Sequence, residues 1–125
     1  MKVRRVKIFP YLLFYTDSVP NGSAGCANAF VVRIRPEYKE DKGLEAHEAK
    51  HIAQFWRTLG FHSLFYLLIK RYRLAAEVEA FRCQLTFCNE WDKEINRQKF
   101  AERIATKYGL KISAEEAYKL LEGGG

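Results

Sequence analysis

The chain has 125 residues, 48% of them apolar and 29% charged, with no low-complexity tract and no internal repeat. At that length one domain can bury about two thirds of its unfolded surface unaided, which excludes a disulfide-stapled miniprotein, a repeat array and a disordered chain. The formal net charge is +6, and the eight basic against four acidic residues between Met1 and Lys42 put an excess of four in the first third, which predicts a solvated basic surface or, alternatively, a patch for an anionic partner such as nucleic acid.

Val3 to Tyr15 is rich in β-branched and aromatic residues but carries Pro10 in its middle, which predicts one long edge strand with a break or two short strands. Arg4, Arg5 and Lys7 interrupt this stretch and no small-residue cleavage site follows, so a signal peptide is not expected and a cytoplasmic location is. Thr16 to Gly25, with Asp17, Pro20, Asn21, Gly22 and Ser23, reads as a loop. From Ala27 to Arg35 the chain alternates, Phe30, Val32 and Ile34 on one face and Val31, Arg33 and Arg35 on the other; this predicts a half-buried strand pairing antiparallel with the first.

After Pro36 and the charged turn Glu37 to Lys42, helical patterns take over. Leu44 to Arg57 has no Pro or internal Gly and contains His47, Glu48, Ala49, Lys50 and His51, an HExxH pattern. Residues four apart share a helix face, so both imidazoles can bind one metal ion while Glu48 reaches a water on it, the arrangement of a zinc hydrolase. Phe61 to Ile69, after the Leu59-Gly60 break, predicts a buried helix; it is about half the length a bilayer crossing needs and is closed by Lys70, Arg71 and Arg73. Leu74 to Trp91 is apolar around most of its circumference and predicts a central helix.

Glu77 and Glu79 interrupt that helix, and a buried carboxylate is costly unless a partner such as a metal compensates its charge. Two residues turn a helix by about 200°, so only one of the pair can face a given site. Glu79 shares a face with the small residues Ala76, Cys83 and Thr86, which would allow a close approach, and is the expected third ligand; Glu77 is the fallback, with a surface ion pair to Arg71 or Arg73 as its other reading. An ion pair with Arg82 is the corresponding alternative for Glu79. Trp91 to Tyr108 predicts a further helix ended by Gly109, and Ser113 with Glu116 makes a capping box for a last one through Leu121, both packing over the third. Gly123 to Gly125 are expected to be a disordered tail, leaving 1–122 as one domain.

HEAKH, followed twenty-eight residues after His51 by Glu79-Ala80 in EVEAF, resembles the gluzincin type of zinc metallopeptidase. More narrowly, GCANAFVVRIRP, GLEAHEAKHIAQFW and RYRLAAEVEAF are similar to stretches of small metallopeptidases encoded in phages and prophages, over roughly Gly25 to Gln84. The resemblance implies an α+β, minimal zincin-like fold: a short antiparallel N-terminal sheet, then a helical bundle carrying the HExxH helix and the Glu-bearing helix. It implies His47, His51 and Glu79 as zinc ligands, Glu48 as general base, and peptide-bond hydrolysis of a peptide or protein substrate. The strand Phe30 to Arg35 would be the edge that pairs with extended substrate, Arg33 and Arg35 favouring acidic peptides. Phage-like surroundings would suit cell-wall crosslinks, a phage structural protein or a host regulator as the target.

The chain departs from thermolysin-like enzymes in lacking room for a full second helical domain and its oxyanion-stabilising histidine; His62, Tyr66 and Tyr72 are the candidates for that role. Cys26 sits where it could cap the metal, while Cys83 and Cys88 read as small buried hydrophobes. Two other functions fit the residues: a catalytically inactive, metal-stabilised binding or regulatory domain, suggested by the small size, and a basic nucleic-acid-binding module in which HEAKH is coincidental.

Overall fold

The computed structural model describes residues 1–122 and has an α+β architecture, a four-stranded sheet followed by helices. Strands β1 (Lys2–Val6) and β2 (Phe9–Tyr15) form an antiparallel hairpin; β3 (Gly25–Asn28) and β4 (Val31–Ile34) form another. The sheet order is β1-β2-β4-β3, with β4 running parallel to β2 from Leu12↔Val31 to Tyr15↔Ile34. Two expectations are corrected here. The segment Ala27 to Arg35 is not one strand, because the chain reverses at Ala29-Phe30, with Ala29 at φ 53. Its second half pairs parallel, not antiparallel, with β2, because the loop after β2 returns the chain at the far edge before β4 enters the middle.

A 3-10 turn at Pro36–Tyr38 leads to helix α1 (Lys42–Arg57), whose N-terminus is capped by Asp41 accepting the Leu44 N–H at 2.9 Å. Alternating sheet residues Tyr11, Leu13, Val32 and Ile34 pack on Leu44, Ala49 and Ile52 of α1 as one core. Helices α3 (Lys70–Leu85), α4 (Glu90–Lys107) and α5 (Ala114–Glu122) build a second core around Phe81, Leu85, Phe100, Ile104 and Leu121. The α5 start is the expected capping box, Ser113 Oγ accepting the Glu116 N–H at 3.0 Å.

The stretch Leu74 to Trp91 is two helices rather than one, since Thr86 ends α3 and Asn89 caps α4 by accepting the Asp92 N–H; Trp91 is 88% exposed. Cys83 and Cys88 are half-buried. Helix α2 (His62–Leu68) also departs from expectation, for none of its residues is buried. Its inner side is the aromatic and polar set His62, Phe65 and Tyr66, and Leu64, Leu67 and Leu68 face outward. The guanidinium of Arg73, rather than pairing with Glu77, closes the end of α2 by donating to the carbonyls of Tyr66 and Leu67, and donates also to that of Tyr108 beyond α4. Residues 123–125, expected to be a flexible tail, lie outside the described residues. Among the described residues no helix is long and apolar enough to cross a membrane.

Candidate metal centre

Helix α1 turns two faces to two partners. Leu44, Ala49 and Ile52 meet the sheet, while His47, His51 and Gln54, at i, i+4 and i+7, meet α3. Facing them on α3 is Glu77, 2% exposed, with His47 Nε2 3.3 Å from its Oε1 and His51 Nε2 3.3 Å from its Oε2. One donor atom from each of the three lies within 4.8 Å of the others. Glu79 is not in this cluster. The 200° that separates it from Glu77 carries it to the outer side of the α1–α3 seam, where its Oε1 accepts from Gln54 Nε2 and from Arg57.

The structure brings the fallback carboxylate, Glu77, and not Glu79, to the two histidines; apolar residues circle α3 so evenly that its buried side is not obvious from sequence. A signal was present: Glu77, Phe81 and Leu85 recur at four-residue spacing, so Glu77 stands in the stripe of the bulkiest core residues, whereas Glu79 shares its face with Cys83 and Thr86.

The electrostatics fit a cation. Burial works against charge on Glu77, but the His51 and His47 imidazoles outweigh it and hold its pKa well below the ordinary carboxylate value. Burial likewise opposes charge on His51, yet Glu77, assisted by Glu48 and Gln54, holds that imidazole up at about 9. In the metal-free protein a proton on His51 Nε2 therefore occupies the position a metal would take. Glu77 Oε1 is buried without a well-formed hydrogen bond to any described residue, so a carboxylate oxygen facing the histidines is left without a matched donor. Two imidazole nitrogens and a carboxylate oxygen are the donor chemistry of a catalytic zinc site with an open position.

That open side is a cavity of about 400 Å³, whose lining includes Glu48, Cys26, His62, Tyr66, Lys107 and Tyr108 besides the triad. Glu48, 8% exposed, reaches it from α1, and β3 forms the opposite wall, so close that a Cβ on Gly25 would stand 3.1 Å from the Arg33 carbonyl and 3.6 Å from Glu48 Cγ. The sheet edge beside the cavity is β3, not the Phe30 to Arg35 strand, whose β4 portion lies inside the sheet. Arg35 N–H donates to the Ala24 carbonyl, so by antiparallel alternation Gly25 and Ala27 turn their backbone groups to the open edge. Arg35 donates to the carbonyls of Ser23, Val19, Pro20 and Asp17, and is therefore a loop clamp rather than a substrate contact.

Of the three oxyanion candidates, His62 and Tyr66 line the cavity. Tyr72 does not; its hydroxyl lies 2.7 Å from His62 Nδ1. Burial, with the His51 charge, pushes His62 down to about 4, and the Tyr66 hydroxyl, donating to Glu77, is pushed well above the ordinary phenol value by burial and that carboxylate. Burial followed by Glu48 pushes the Cys26 thiol up, away from the thiolate a nucleophile needs. Gln54, Lys107 and Tyr108 were not anticipated from sequence. Gln54 had one usable signal, a polar residue one turn after His51 on the same face.

Comparison of the chain with protein-family models, with curated proteins and with solved structures gave no match in any of the three.

Proposed function

We propose that the protein is a zinc-dependent hydrolase of peptide bonds, with His47, His51 and Glu77 as the metal ligands and Glu48 as the general base. The observation that carries this reading is the convergence of three buried ligand atoms from two helices on the wall of an open cavity that Glu48 also lines. A zinc ion held there would supply Lewis acidity, bringing a water toward neutral pKa and polarising a carbonyl. The chain's own residues do the rest. Glu48 takes the proton of the attacking water and returns it to the leaving amine. The outward N–H and C=O groups of Gly25 and Ala27 hold an extended peptide as an added strand, which places its backbone across the cavity mouth. His62 and Tyr66 stand on the wall where a developing oxyanion needs donors, although Tyr66 must first release Glu77.

The first test is the metal content of the untagged protein by mass spectrometry, beside a His47→Ala variant. About one zinc per chain, lost in the variant, is expected; no metal bound or taken up would refute the site, and iron in place of zinc, which also accepts two histidines and a carboxylate, would change the reaction class. The second is Glu48→Gln, which should keep its zinc and fold while losing hydrolysis across a peptide library. A zinc-loaded wild type without hydrolysis would leave the metal-stabilised binding domain as the better reading.

A further inference from the structure

We infer that Gln54, itself held from outside by Glu79 and Arg57, is a positioning residue that fixes which ring nitrogen of His51 is offered to the metal. This rests on the metal-site reading above. Gln54 is 3% exposed and all of its amide contacts are internal. One amide atom stands 3.1 Å from the Ala76 carbonyl oxygen and 2.8 Å from Glu79 Oε1. A backbone carbonyl and a carboxylate can only accept, so that atom must be the nitrogen, Nε2; the flipped amide would set three acceptors against one another. The other amide atom, Oε1, faces His51 Nδ1 at 2.8 Å and can only accept in turn.

His51 Nδ1 therefore carries a proton in both the charged and the neutral ring. A neutral imidazole in water divides between two tautomers, and here only one is compatible with its buried neighbour. Nε2 is then the nitrogen with the free lone pair, and Nε2 is the atom 3.3 Å from Glu77. The orientation is passed inward from the surface: Arg57 donates to Glu79 Oε1, the same oxygen accepts from Gln54, and Gln54 accepts from His51. His47 has no such support. Its Nδ1 has no hydrogen-bond partner among the described residues, and its ring is set by an edge contact with Phe81, centroids 4.3 Å apart. The residue that sequence nominated as a ligand thus acts one step removed, as the acceptor that orients Gln54.

The decisive experiment is zinc affinity, measured by competition with a chromophoric chelator, for wild type, Gln54→Leu, Glu79→Leu and Glu79→Gln, together with nitrogen NMR of the zinc-loaded imidazoles. Loss of a partner of this kind typically costs 10- to 100-fold in affinity, and Gln54→Leu should fall in that range. Glu79→Leu should weaken binding by a smaller factor, and Glu79→Gln should stay near wild type, because its amide oxygen still accepts from Gln54. A slowly exchanging Nδ1 proton on His51 should be present in wild type and Glu79→Gln and lost in Gln54→Leu, which a merely structural role would not produce. Should Gln54→Leu fail to fold, the Glu79 pair decides, since that side chain is 39% exposed. Unchanged affinity in Gln54→Leu, or equal losses in Glu79→Leu and Glu79→Gln, would overturn the inference while leaving the metal site standing. A wild type that takes up no zinc would overturn both.

Discussion

Helices α1 and α3 are bridged twice by polar groups, and the two bridges differ in kind. On the outer side Gln54 and Arg57 meet Glu79, and Glu79, Gln54 and Arg57 are matched donor to acceptor by one another and by the Ala76 carbonyl. On the inner side His47 and His51 meet Glu77 at 3.3 Å each, with Glu77 Oε1 lacking a well-formed partner and a cavity beside the cluster. A polar cluster built for structure closes on itself, whereas one built to hold something leaves lone pairs pointing at a common centre. Glu77 and Glu79 are two residues apart, and helix geometry alone sends them to these two different bridges.

The largest test of that contrast is a matched pair of substitutions. Glu77→Gln should abolish stoichiometric zinc uptake, as read by metal analysis after dialysis, and Glu79→Gln should leave one zinc per chain; the reverse result would mean that the inner bridge is the structural one. Next in size is a pH effect on the metal-free protein. His51 is held at about 9 against an unfolded value near 6.5, so its contribution to stability, on the order of 3 kcal/mol, is fully present below about 6.5 and disappears as the pH rises through about 9. Melting temperatures in chelator should decline over that window in wild type and stay flatter in Glu77→Gln. His62 runs the other way: its folded value of about 4 lies below the unfolded one, so protonation of the unfolded chain removes stability as the pH falls from about 6.5 to 4, and His62→Phe should flatten that limb.

The smallest effect belongs to the outer bridge's surface end. Arg57 and Glu79 side chains are 49% and 39% exposed, and an ion pair so placed contributes at most about 1 kcal/mol. Arg57→Ala should therefore shift the metal-free melting temperature only slightly, and a large drop would show the outer bridge to be as critical to the fold as a core contact.

The α+β class, the HExxH helix and the capped final helix were legible because each is written in local sequence: β-branched and aromatic residues before Pro36, an uninterrupted i, i+4 pattern after it, a Ser113–Glu116 capping box. The sheet was less legible. Both hairpins turn on two residues, Lys7-Ile8 and Ala29-Phe30, in which Lys7 and Ala29 adopt φ 56 and 53 without the Gly or Asn that usually announces such a turn. With Ala29-Phe30 read as continuous strand, the parallel pairing of β4 with β2 was out of reach. The carboxylate that faces the histidines was harder to read for another reason: apolar residues spread around α3 obscure its phase, and the four-residue spacing of Glu77, Phe81 and Leu85 was the one cue to the side that meets His47 and His51.

Helix α2 supplies the cavity wall that carries His62 and Tyr66, yet it contributes no residue to either hydrophobic core. Its attachment is a short set of aromatic contacts with His51 and Tyr72, the His62–Tyr72 and Tyr66–Glu77 hydrogen bonds and the Arg73 guanidinium on its last carbonyls. Segments tied down this way open at a fraction of the global unfolding free energy, so α2 is the first unit expected to detach while both cores persist. Its amides should exchange with solvent well ahead of those of α1 and α3. His47, Glu48, His51 and Glu77 all lie on those two helices, so the cluster would outlast the wall that encloses it. Access would then be set by the docking of one seven-residue helix rather than by the stability of the whole fold.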